Sequence, residues 1–352
     1  MNSGHNVIAR YLKSREKSYN ELRGEASNKR QANGQENPWV LATLIARVGA
    51  SYRKEGAMMF VSPSGERIGV LSGGCLETDI VHKAHKVSQL GKVTIIEYDS
   101  LEDGYQLGTK NTGCLGKIEI LLLPISEQIH LEIEQLYHQL ELGLPCVVKQ
   151  RLPQSGSGEI KSGRPFFSEA LENKLLIEPA AIKTINNEQY AVTAVKPKEK
   201  LLLIGGGHDA ISICRIAKQL GWYVYLWDER MQSNNAEYDG CVDIIDKRPR
   251  KSIEYFSFIK SFDGVLLKSH NLDIDSFWLS VLESVQSNIK YIGMLGPKDR
   301  KQKVIELAEL EDASWAQEKV ISPAGLPLGG DSPESIALSI LSQAHQVFNG
   351  IK

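Results

Sequence analysis

The chain has 352 residues, of which 42% are hydrophobic and 24% charged, with 41 basic against 43 acidic side chains. That is a globular balance with room for roughly two domains. A net charge of −2 argues against nucleic-acid binding driven by bulk charge, although a local basic pocket for a small anion stays open. The amino-terminal stretch is polar and the apolar runs, such as IEILLLPI, are too short to span a bilayer, so neither a signal peptide nor membrane insertion is expected.

In chain order, residues 1–38 hold an amphipathic segment, VIARYLKSREK, and then a polar linker-like tract, EASNKRQANGQENP. A second region, 39–196, opens with the strand WVLATLIARV. The stretch AMMFVSPSGERIGVLSGG reads as a hairpin turning at Ser62-Pro63-Ser64-Gly65. CLETDIVHKAHKVSQL has helical spacing, with Leu76, Ile80, Ala84 and Val87 on one side. KVTIIEYD and GKIEILLLPI are strands, and EQIHLEIEQLYHQLELG is a helix closed by Gly143. Beyond it, PCVVKQRL and EQYAVTAV are short β-like runs between Gly/Ser clusters. The third region, 197–352, begins near Pro197 and alternates strand and helix: KLLLIGGG, HDAISICRIAKQLG, WYVYLWDER, VDIID, DGVLLKS, KYIGML, KDRKQKVIELAEL and SPESIALSILSQAHQVF. The expected fold is therefore α/β, with a carboxyl-terminal Rossmann-like doubly wound parallel sheet and an amino-terminal α+β domain.

Five cysteines, Cys75, Cys114, Cys146, Cys214 and Cys241, form no C-x-x-C pair, which disfavours a disulfide framework, a structural zinc site or an iron–sulfur cluster. Free thiols point to a reducing, cytoplasmic setting. Cys75 closes Ser72-Gly73-Gly74-Cys75 at a strand-to-helix junction. Gly73 and Gly74 free the backbone there, and a cysteine at a helix start favours the thiolate that ligates soft metals or carries a persulfide. Packing of a turn by a small buried cysteine is the alternative. Cys114, in Asn111-Thr112-Gly113-Cys114-Leu115-Gly116, is a second glycine-flanked thiol open to the same two readings. In Gly49-Ala50-Ser51-Tyr52-Arg53, Ser51 supplies a hydroxyl and Arg53 a planar fork for an oxyanion, or Arg53 is merely solvated.

Gly205-Gly206-Gly207-His208-Asp209-Ala210 fits the G-x-G-x-x-A dinucleotide pattern, and Asp228 ends the next strand. Gly205 permits the tight turn, Gly207 the approach of a pyrophosphate, Ala210 close helix–strand packing, and Asp228 a bond from a ribose hydroxyl. The crevice is either a site for NAD(P) or a retained fold with another use. His208 and His270, at expected carboxyl ends of strands, are candidate proton donors or structural histidines. His82 and His85 share a helix face with no third ligand and read as solvated. Lys298, Arg300, Lys301 and Lys303 read as a solvated helix start, with an anion contact as the alternative.

Taken together these segments resemble the XdhC/CoxI family of accessory proteins for molybdenum hydroxylases. The resemblance rests on ATLIARVGASYRKEGAMMFV, IGVLSGGCLE and GCLGKIEILLLP in one block. The other block holds LLLIGGGHDA, LWDER, YIGMLGPKDRKQK and SPAGLPLGGDSPESIALSIL. Ala50, Leu115, Asn271 and Pro297 depart from the residues usual in that family. The resemblance implies a chaperone that binds molybdenum cofactor, supports its sulfuration by a cysteine desulfurase and delivers it to an apo-hydroxylase such as xanthine dehydrogenase. On that reading Cys75, with or without Cys114, ligates molybdenum or relays sulfur, Ser51 and Arg53 hold oxyanions, and the protein forms a homodimer. Five scattered cysteines do not furnish the clusters of a xanthine dehydrogenase itself. The competing expectations are an NAD(P)-dependent oxidoreductase built on Asp228, Gly205 and Gly207, and a partner that only docks other proteins.

Overall fold

The computed structural model describes residues 4–26, 37–99, 116–153, 164–171, 180–231, 236–252, 254–285 and 289–351. Cys114 lies outside them. The chain divides between Pro197 and Lys198 into two compact units. Among the described residues no helix is long and apolar enough to cross a membrane.

The amino-terminal unit is built on a five-stranded sheet of β1 (Val40–Gly49), β2 (Met58–Val61), β3 (Arg67–Gly69), β4 (Thr94–Asp99) and β5 (Gly116–Pro124), in the order β3-β2-β1-β5-β4. Every pairing is antiparallel. Side chains alternate between its faces. Val40, Ala42, Leu44, Met59, Val61, Ile120 and Leu122 meet Ile80, Ala84 and Val87 of helix α2 (Glu77–Leu90). Leu41, Ile45, Met58, Phe60, Leu121 and Leu123 pack in a second core. That core takes Ile129, Ile133, Leu136 and Leu140 from α3 (Glu127–Glu141), and Val7, Ile8 and Tyr11 from α1 (Gly4–Ala26). Tyr11 stacks on Phe60 with ring centroids 4.1 Å apart. The amphipathic segment read near the amino terminus is part of α1, which runs from Gly4 to Ala26 and buries Val7, Ile8 and Tyr11 in this core.

A second antiparallel sheet, β7-β6-β9-β8, is made of β6 (Cys146–Arg151), β7 (Phe166–Ala170), β8 (Ala181–Ile185) and β9 (Glu188–Val195). Its β8–β9 turn is Asn186-Asn187, with φ of 50° and 64°. Paired left-handed residues match the strand twist, and asparagine tolerates that conformation.

The carboxyl-terminal unit holds six parallel strands: β10 (Lys200–Ile204), β11 (Tyr223–Trp227), β12 (Ile244–Asp246), β13 (Gly264–Leu267), β14 (Tyr291–Met294) and β15 (Val320–Ile321). Their order is β12-β11-β10-β13-β14-β15, so the winding reverses between β10 and β13. The strands are apolar on both faces because helices cover both. Leu201, Leu203, Val224 and Leu226 face α4 (His208–Gln219) and α9 (Pro333–Phe348). Leu202, Ile204, Trp227, Val265 and Leu267 face α6 (Leu272–Ser284) and α7 (Lys298–Leu307). The expected Rossmann-type sheet beside an α+β unit is thus the observed fold. Helix α6 carried no clear polar face in the sequence because most of its length is buried.

Candidate functional site

Most of the candidate residues fall on two strand–glycine–helix junctions, one in each unit. In the amino-terminal unit the chain leaves β3 and runs through Ser72-Gly73-Gly74-Cys75 into α2. The sequence pattern passed over the residue that shapes this loop, Glu77. It is only 3% exposed. One carboxylate oxygen accepts the Ser72 N–H at 2.7 Å and the Leu71 N–H at 3.2 Å; the other accepts the Gly74 N–H at 2.8 Å and the Ser72 hydroxyl at 2.5 Å. The Ser72 oxygen in turn accepts the Leu76 N–H at 2.9 Å. Burial by itself raises the Glu77 pKa, but the donors from Ser72, the backbone of Glu77 itself and Leu71 outweigh it and hold the carboxyl below its ordinary range. The loop is wound around an internal carboxylate.

Gly73 and Gly74 have φ of 76° and 118°, a backbone that a side chain strains. Their purposes differ. A Cβ on Gly73 would lie 3.1 Å from the ring of Tyr52, while one on Gly74 would meet nothing. Cys75 follows, and it is exposed. Among the described cysteines it is the one at the surface; Cys146, Cys214 and Cys241 are buried. Burial pushes the Cys146 thiol up to about 11 and raises those of Cys214 and Cys241. Those three are poor metal ligands at neutral pH.

The Ser51–Arg53 segment belongs to the same end of the unit. Arg47 on β1 bonds Glu55 at 2.9 Å, and Gly56 N–H donates to Leu44 O at 2.8 Å, which folds residues 50–55 back onto β1. Ser51 and Arg53 are half-buried and Tyr52 is exposed. Through Tyr52 on Gly73 the structure brings this segment to the Cys75 loop. His82 is exposed as expected; His85 is half-buried beside Gly65.

In the carboxyl-terminal unit the glycine loop follows β10 at the point of reversal. Gly205 has φ of 110°, and a Cβ there would lie 2.5 Å from Ser269 Cα and 2.7 Å from Lys268 O. Its task is close approach to the end of β13. Ala210 is buried and lets α4 lie against the sheet. The loop's N–H groups are already in use. Gly206 N–H donates to Asp228 at 2.9 Å and Gly207 N–H to the Tyr238 hydroxyl at 2.9 Å. Asp228 is also held by Arg230, whose Nε and Nη2 each lie 3.0 Å from one of its oxygens and whose N–H donates at 2.9 Å. Burial opposes ionisation of Asp228, but Arg230 and Gly206 outweigh it and lower the pKa. A ribose diol reaching Asp228 would have to displace Arg230.

Lys268, at the end of β13, is fully buried. Its ammonium donates to Gly205 O at 3.1 Å and Gly206 O at 3.3 Å and pairs with Asp209 at 3.0 Å. Asp209 also meets His270 Nε2 at 3.3 Å. His270 has φ of 56°, and a histidine in that region is uncommon. His208 is exposed, with Nδ1 3.6 Å from Glu237. The structure thus gathers both histidines at the carboxyl end of the sheet, with Asp209 and Lys268 between the loop and β13. Of the basic group on α7, Lys298 and Lys303 are exposed as expected. Arg300 instead pairs with buried Asp275 at 2.8 Å, and Lys301 donates to the Val320 carbonyl at 2.7 Å. Glu77, Lys268, Arg230 and Tyr238 were missed in the sequence. The discoverable signals were a lysine closing an otherwise apolar strand, VLLK, and an arginine two residues after the expected ribose-binding aspartate.

Among the described residues no group of three His, Cys, Asp or Glu side chains is arranged to hold a metal ion.

The family described as the XdhC Rossmann domain matches residues 201–344, and the XdhC and CoxI family matches residues 33–99. A Bacillus halodurans protein described as a xanthine dehydrogenase superposes with a TM-score of 0.69 at 29% identity, over 94% of this chain and 96% of that one. A Bacillus subtilis protein named as a probable subunit of xanthine dehydrogenase is 25% identical across 87% of this chain and 92% of its own length. The "Molybdenum cofactor insertion chaperone PaoD" of Escherichia coli is 22% identical across 88% of this chain and 83% of its own. Both units find their counterparts within a single group of proteins, and the chain belongs to the XdhC/CoxI family.

Proposed function

We propose that this protein is a maturation factor for a xanthine dehydrogenase-type molybdenum hydroxylase: it binds molybdenum cofactor, presents it for sulfuration and hands it to the apo-enzyme. The observation that carries the reading is Cys75, an exposed thiol on a loop preformed by Glu77. The name of the PaoD relative supports it. The cofactor is cargo, with a soft metal held by its own dithiolene sulfurs, so one protein thiolate suffices as a detachable ligand. Cys75 is that ligand or the carrier of the sulfur, Ser51 and Arg53 take the cofactor's oxyanions, and Cys114 is a second thiol for the same cargo. The partners in this reading are the apo-hydroxylase and a cysteine desulfurase, and the protein acts as a homodimer in the cytoplasm. Few cysteines, no cluster motif and one exposed described thiol suit a carrier better than a hydroxylase. The dinucleotide alternative is weakened by the pairing of Asp228 with Arg230 and the capping of Gly207 by Tyr238.

Gel filtration of the purified protein after mixing with intact molybdenum cofactor tests this. Stoichiometric molybdenum and pterin on the wild type, lost from Cys75→Ala, is the expected result. Retention by neither protein sinks the carrier reading.

A further inference from the structure

We infer that Tyr52 is a stacking platform for a flat heteroaromatic ring, placed so that the pterin of the cargo lies on it while its metal end reaches Cys75. The inference rests on the carrier reading and adds to it the residue that orients the ligand.

Tyr52 is 65% exposed. Its ring is nonetheless located. A Cβ built on Gly73 would lie 3.1 Å from Cδ2, 3.1 Å from Cγ and 3.3 Å from Cδ1. Near-equal distances to three consecutive ring atoms put Gly73 against the ring's flat side, not its edge. The glycine supports that side with bare backbone, and most of the remaining ring surface faces solvent.

Both supports of the ring are rigid. On one side the Arg47–Glu55 pair and the Gly56–Leu44 hydrogen bond hold the loop to β1. On the other, Glu77 grips Gly73's neighbours, Ser72 and Gly74. A ring backed on one face by the Gly73 backbone is partly ordered before any ligand arrives, which lowers the entropic cost of stacking on its free face. Cys75 follows Gly73 by two residues, within about 7 Å along the chain. A platform and a thiol close together in the chain suit a ligand with a planar pyrimidinone at one end of its fused rings and a metal–sulfur group at the other. Offset stacking suits an electron-poor heterocycle on a phenol ring.

The test uses the full chain and two probes, molybdenum cofactor and metal-free molybdopterin, with Tyr52→Leu, Tyr52→Phe and Cys75→Ala. Stacking of a base on an aromatic side chain corresponds to a loss of about tenfold or more on its removal. Tyr52→Leu is expected to weaken both probes by that factor, and Tyr52→Phe to recover most of the loss. Cys75→Ala should weaken the metal-loaded probe far more than the metal-free one. Unchanged melting curves will show that the variants fold. Wild-type affinity for metal-free molybdopterin in Tyr52→Leu, with cofactor retention by the wild type intact, overturns the platform and leaves the carrier reading standing. Loss of hydroxylase capture by Tyr52→Leu with pterin binding unchanged overturns it too, by assigning the ring to a protein contact. A wild type that retains neither probe overturns both.

Discussion

The two glycine junctions are built alike and end differently. Each follows a strand, opens a helix, and has a loop N–H bound by a carboxylate of its own unit: Glu77 holds Ser72 and Gly74 in one, Asp228 holds Gly206 in the other. Around Glu77 the donors are gathered inward, and the residue left at the surface is a thiol. Around Asp228 the loop is closed by two ion pairs, Arg230 with Asp228 and Lys268 with Asp209, and by the Gly207 N–H donating to the Tyr238 hydroxyl. A glycine motif thus specifies a backbone path; whether that path presents a ligand site depends on which donors the protein has already spent on itself.

Substitutions should separate these roles, starting with the largest effect. Gly205→Ala places a Cβ on the backbone of β13, with no flexible side chain to yield, and should cost the carboxyl-terminal unit more than about 4 kcal/mol in urea unfolding. A stable Gly205→Ala protein would show that the close approach to β13 is dispensable. Lys268→Met removes a buried ammonium and leaves Asp209, itself partly exposed, with His270 alone; about 3 kcal/mol of loss is expected. Glu77→Ala frees buried donors of the other loop, so about 2–3 kcal/mol and most cofactor retention should be lost while Cys75 remains. Retention unchanged in that variant would mean that the thiol works without its preformed loop. Gly74→Ala meets no atoms and is penalised only for its left-handed backbone, about 1–2 kcal/mol.

The smallest effect concerns acid. Glu77 has a folded pKa below its ordinary value of 4.5. Its contribution to stability is therefore complete above about pH 4.5 and fades as pH falls through the lower folded value. Glu77→Gln should flatten that part of the stability–pH curve, measured by chemical denaturation between neutral pH and about pH 3. An identical acid limb in wild type and variant would assign the acid sensitivity to Asp209, Asp228 and Asp246, whose pKa values are also lowered.

Much of the fold was legible because its signals are local. The apolar runs of β1 and β5, the helical spacing of Ile80, Ala84 and Val87, and the apolar strands before Gly205 and His270 all report burial within one element. The β8–β9 hairpin was harder. Its strands are short and half-exposed, and Asn186-Asn187 is a turn signal only once two strands flank it. The position of Cys75 in a glycine loop was readable; its exposure was not, since cysteine is more often buried. Tyr52 stood in plain view beside Ser51 and Arg53, but nothing in their spacing told that its ring rests on Gly73.

By itself, then, the sequence determined where most of the strands and helices run, that the carboxyl-terminal half winds as a parallel sheet, and which glycines mark the two junctions. These follow from periodicity and backbone freedom, which act over a few residues. Only the tertiary structure decided which charges are spent. Lys268 reaches Asp209 and the Gly205 carbonyl because β13 lies beside β10, and Tyr238 reaches Gly207 from 31 residues away. A hydrogen bond depends on distance in space, so the availability of a polar group is settled only when remote segments have packed.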